Sequence, residues 1–67
     1  MHIVLCKFFN GRVMDMERST ESSAVAQYEQ CRDSCAWAVL LNPQGKVVAS
    51  FGDVTTTMIV EYFKGKP

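Results

Sequence analysis

Three cysteines, one histidine and a small set of carboxylates are the residues of this 67-residue chain whose types suit catalysis or metal binding. Cys31 and Cys35 stand one helical turn apart, and His2 and Cys6 share the same i, i+4 separation on a strand face, so four soft ligands are nominally at hand. Their spacing is not that of a zinc module, which usually includes a CxxC-type knuckle in a loop. Cys31 and Cys35 fall on the apolar stripe of a helix, where cysteine packs as a small hydrophobe and neighbouring side chains project side by side rather than toward each other. Free thiols, no metal and no cofactor are therefore expected. Cysteine catalysis needs a base to make the thiolate, and His2 lies next to a fraying terminus. Asp15, Glu17 and Glu21 read as a solvated face, two projecting from a hairpin and one opening a helix. With no general base beside oxyanion donors, an enzyme is not expected.

Chemistry of recognition is the remaining possibility. Arg12 and Lys46 each follow a hairpin turn, and Phe8, Phe9 and Trp37 are flat rings able to stack on bases. Seven basic and seven acidic residues cancel to zero, however, which leaves no backbone-tracking field and argues against general nucleic-acid binding. Trp37, the sole tryptophan, is of a type enriched in interface hot spots and equally at home in a core. The partner-binding candidates are thus Trp37, Arg12 and the acidic strip Asp15, Glu17 and Glu21, which would mimic nucleic-acid charge toward a basic partner.

The elements that position these residues follow from turn and periodicity signals. Ile3 to Phe9 is β-branched and aromatic, Asn10-Gly11 suits a two-residue type I′ turn, and Val13 to Arg18 pairs back. A two-residue loop sets Phe9 opposite Arg12, Lys7 opposite Met14, Leu5 opposite Met16 and Ile3 opposite Arg18, giving a core face of Leu5, Met14 and Met16. Ser19 or Thr20 caps a helix running to about Ser34, with Ala24, Tyr28, Cys31 and Cys35 on its apolar side. Trp37 to Leu41 and Val47 to Phe51 form a second hairpin around Asn42-Pro43-Gln44-Gly45, with Gly45 closing a bulge. Leu41 opposite Lys46 puts Trp37, Val39 and Val48 on one face and Ala38, Leu40, Val47, Ala49 and Phe51 on the other. Strands apolar on both faces are usually covered twice, and one helix covers only one. From Asp53 to Lys64, Val54, Met58 and Tyr62 with Ile59 and Phe63 make a helical stripe, while the threonines and Ile59-Val60 favour strand; Gly65 and Pro67 as a stop tip the reading to helix.

The expected fold is a small single α+β domain over residues 1–67, hairpin, helix, hairpin and short C-terminal helix, with an antiparallel sheet. A chain this short buries only roughly 60% of its unfolded surface, so a 48% apolar share leaves side chains for a partner or a second copy to cover. No signal peptide is evident, and Ala36 to Leu41, the longest apolar run, is far below the roughly 18 residues of a membrane span. An odd cysteine count offers no disulfide framework, and a reducing cytoplasm is expected. The layout, with the phrase Val39-Leu40-Leu41-Asn42-Pro43-Gln44-Gly45-Lys46-Val47-Val48, resembles small proteins of bacteriophages and mobile elements, anti-CRISPR inhibitors among them. That resemblance implies a non-catalytic inhibitor of a larger bacterial complex and carries over no functional residue. The alternatives are a self-associating structural module, as a homodimer, and a nucleic-acid- or zinc-binding module.

Overall fold

A computed structural model describes residues 1–65, so Pro67 of the expected stop lies outside the described residues. Its elements are β1 (His2–Phe8), β2 (Val13–Arg18), α1 (Glu21–Ser34), β3 (Cys35–Leu41), β4 (Val47–Phe51) and α2 (Thr56–Lys64). The strands form one antiparallel sheet in the order β2-β1-β3-β4, which puts the first strand of each hairpin at the centre. The expected α+β architecture is present, including the helical reading of the tail.

Both hairpins close through the same turn. In each, a three-residue loop ends in a glycine at positive φ, Gly11 at 93° and Gly45 at 82°. The residue before the loop accepts from that glycine's N–H, Phe8 from Gly11 and Asn42 from Gly45, both at 2.9 Å. An asparagine side chain braces each loop: Asn10 Oδ1 accepts from the Arg12 N–H, and Asn42 Oδ1 accepts from the N–H groups of Gln44 and Lys46.

This turn corrects the register of the first hairpin. A type I′ turn requires positive φ at both Asn10 and Gly11, yet among the described residues only glycines adopt it, so the loop takes a third residue and the pairing slips by one. Val4 faces Met16, Leu5 faces Asp15, Cys6 faces Met14 and Lys7 faces Val13. Leu5 therefore does not share a face with Met14 and Met16. Those methionines pack with Val4 and Cys6, while Leu5 lies with Ile3 and Val13 on the opposite side. In the second hairpin Leu41 pairs with Val47, not Lys46, and the next pair is Leu40 with Ala49, so Val48 is the extra residue of a bulge. Val47 and Val48 consequently stay exposed on an edge strand rather than joining the two apolar faces.

Each face of the sheet receives one helix. Thr20 caps α1, its hydroxyl accepting from the Ser23 N–H at 3.2 Å, and the helix lays Ala24, Tyr28 and Cys31 over Val4, Cys6, Ala38 and Leu40. Cys35, expected on the helix, is instead the first residue of β3, still buried against the same cluster. Thr55 caps α2 in the same way, accepting from the Met58 N–H at 3.2 Å. Ile59, Tyr62 and Phe63 of that helix close over Leu5, Trp37, Val39 and Leu41. Small residues at the first interface let α1 approach the sheet backbone closely, whereas α2 carries larger side chains against a tryptophan and stands further off. The second apolar face thus has a cover within the chain itself.

Candidate functional site

The gap under α2 opens as a groove of about 450 Å³ lined by Lys7, Val13, Trp37, Thr57, Met58, Glu61 and Tyr62. Strand alternation sets its floor. Lys7 pairs with Val13 on one side and Trp37 on the other, so the three project in a row from β2, β1 and β3 onto the α2 face. Helix periodicity sets its wall, since Met58, Glu61 and Tyr62 lie three or four residues apart along α2. The lining is chiefly apolar, with Lys7 and Glu61 supplying one charge of each sign.

Two contacts hold this groove in shape. Tyr62 donates its hydroxyl to Asp15 Oδ1 at 2.8 Å, tying α2 to the edge strand β2 and giving an inward-facing carboxylate a partner. Gly52, at φ 82°, passes so close to the start of β3 that a Cβ there would collide with the Ala36 carbonyl oxygen and lie 2.7 Å from Trp37 Cβ. That approach returns the chain across the sheet and sets the start of α2.

The candidates from the sequence are dispersed with respect to this groove. Trp37 is in its floor, only 5% exposed, so it shapes the site more than it offers free surface. Asp15 reaches it through Tyr62, and Glu17 follows two residues along β2 on the same strand face. Arg12 is exposed just beyond the first turn, and Glu21 opens α1 on the other side of the sheet, so the three carboxylates do not form one strip. Lys7, Met58, Glu61 and Tyr62 were missed. The one-residue register slip placed Lys7 with Met14 rather than Val13, and the stripe on α2 named Met58 and Tyr62 only as packing residues.

A second grouping lies under α1. Cys6 from β1, Cys31 from the last turn of α1 and Cys35 from the start of β3 bring their sulfurs within 4.8 Å of one another, and all three are buried free thiols. Burial raises the pKa of Cys6, with the neighbouring Cys35 and Cys31 adding to it, and burial likewise raises that of Cys31. While the cluster stays closed, two of the three thiols are therefore held protonated at neutral pH. Cys6 thus meets Cys31 of α1 and Cys35 of β3 and not His2, which is four residues away along β1, about 13 Å. The parity of Cys6 with Val4, on the strand face under α1, is the sequence signal that unites the three. His2 Nδ1 is buried without a hydrogen-bond partner.

Among the described residues no helix is long and apolar enough to cross a membrane. Comparison with protein-family models, with curated proteins and with solved structures finds no match for this chain.

Proposed function

We propose that this chain is a non-catalytic protein-binding module that docks one amphipathic segment of a larger protein in the groove between α2 and the sheet. The observation that carries the reading is the groove itself, with Trp37 in its floor, Tyr62 in its wall, an exposed Met58 and opposite charges at Lys7 and Glu61. An apolar anchor with a few placed polar groups is the usual make-up of a recognition site. The occupant matching it presents an apolar or aromatic side chain flanked by residues of both signs. A module of this size acts by occlusion, covering a surface that the larger complex needs, which fits an inhibitor of a bacterial defence or nucleic-acid-processing machine.

The test is a paired pull-down from bacterial lysate with light scattering on the free protein. Wild type retaining a stoichiometric partner that Met58→Glu and Lys7→Glu both release supports the reading. A partner retained equally by the folded variants would refute it. Self-association is the second reading, favoured by Val47 and Val48 standing exposed on the edge strand β4. A stable dimer abolished by Val48→Lys, with no partner in the pull-down, would select that alternative.

A further inference from the structure

From the three-cysteine cluster under α1, we infer a binding site for a trivalent thiol-seeking oxyacid, of which arsenite is the simplest, held through three sulfur bonds. The geometry carries the inference. Three sulfurs no more than 4.8 Å apart share a point within about 2.8 Å of each, against the about 2.3 Å of a zinc–thiolate bond, so side-chain adjustments of about half an ångström bring all three to bonding distance of one atom. The three come from separate places, the centre of the sheet, the end of a helix and the start of a strand, and they converge where no disulfide forms.

The surroundings choose the ligand. Val4, Ala24, Tyr28, Ala38 and Leu40 share this core, and no histidine or carboxylate among the described residues joins the sulfur group. Zinc in a structural site takes four ligands, and bound to three thiolates it would leave a net negative charge in an apolar core. Copper(I) with three thiolates would leave two. Arsenous acid is uncharged and condenses with three thiols: three As–O and three S–H bonds break, and three As–S bonds form. Each thiol proton leaves on a departing hydroxide as water. No oxidation state changes, and the product is neutral. A three-coordinate atom also needs no fourth donor.

Entry is provided by the position of two of the thiols. Cys31 is in the last turn of α1 and Cys35 follows directly in β3, with no loop between, so fraying of that helix end exposes the pair without opening the sheet. Closure then ties α1 to β1.

The reduced full chain is incubated with sodium arsenite, with zinc sulfate and with a Cu(I) complex in separate samples, and read by native mass spectrometry and thermal melting. The expected result is one arsenic per chain replacing three hydrogens, a rise of several degrees in melting temperature, and at least tenfold weaker retention of zinc and copper. Cys6→Ala, Cys31→Ala and Cys35→Ala should each lower arsenite affinity at least tenfold while far-UV circular dichroism confirms the fold. Should a variant not fold, iodoacetamide footprinting of wild type serves instead: arsenite protects all three cysteine-bearing peptides. Absence of a one-to-one adduct, protection of fewer than three cysteines, or tighter retention of zinc or copper than of arsenite would overturn the inference.

Discussion

At the scale of single residues, the paired Asp15 and Tyr62 and the buried thiols make the sharpest demands. Tyr62→Phe removes the donor to Asp15 while keeping the ring, and should cost about 1–2 kcal/mol in urea unfolding. Asp15→Ala should cost a similar amount, and the double variant should cost less than the sum, because the two remove one interaction. The thiols of Cys6 and Cys31 have folded pKa values raised above the ordinary value of 9.0. Their contribution to stability is full below that value and is lost as pH rises through it, since the unfolded chain then releases protons that the folded chain retains. This contribution to the unfolding free energy from urea titrations should therefore hold steady from pH 6 to 8 and fall by up to about 1.4 kcal/mol per group for each further pH unit. In Cys6→Ala that alkaline loss should shrink, which separates it from the general effect of lysine and tyrosine titration.

At the scale of elements, the turns decided what could be read from the chain. The place of the second hairpin, though not its register, and that of both helices were legible because their signals are local: a proline and glycine between apolar runs, a threonine ahead of α1, a stripe at helical spacing along α2. The first register was not, because Asn10-Gly11 suits a two-residue loop as well as the three-residue loop observed, and a single slipped residue exchanges the faces of β2 relative to β1. That exchange set Met14 and Met16 beside Leu5 and Lys7, and Val13 and Asp15 beside Cys6, which obscured both the groove and the core that holds the thiols. Gly52 was silent in the sequence because its need is tertiary, the close pass over Ala36 and Trp37. Gly52→Ala should destabilise by at least about 2 kcal/mol, combining the left-handed backbone with a collision against main-chain atoms. Gly45→Ala, in open space, should cost less, because only its positive φ is strained. Comparison of the two melting temperatures checks the difference.

For the whole molecule, covering both faces of the sheet changes what remains for a partner. The high apolar share is met in large part by α2, so the surplus that pointed to an oligomer reduces to separate places: the groove, the exposed Val47 and Val48 of β4, Phe9 at the first turn, and the scattered Met1, Val25 and Val60. A partner that docks in the groove should slow hydrogen exchange in α2 and β2 and leave β4 unchanged, whereas a self-associated edge should protect β4. Exchange mass spectrometry with and without the partner distinguishes the two. The thinly attached α2 should also open at lower denaturant than α1, which Trp37 fluorescence reports because that ring is part of the floor beneath it.

The strand order also bears on the making of the protein. β1 precedes β2 in synthesis, yet its other neighbour is β3, which follows only after the whole of α1. Until β3 emerges, the inner edge of the first hairpin presents unpaired amides along a run that includes Ile3, Val4 and Leu5. A ribosome that pauses within α1 prolongs the interval in which a second nascent chain can take the place of β3, so the yield of native protein should depend on translation speed through residues 21–34.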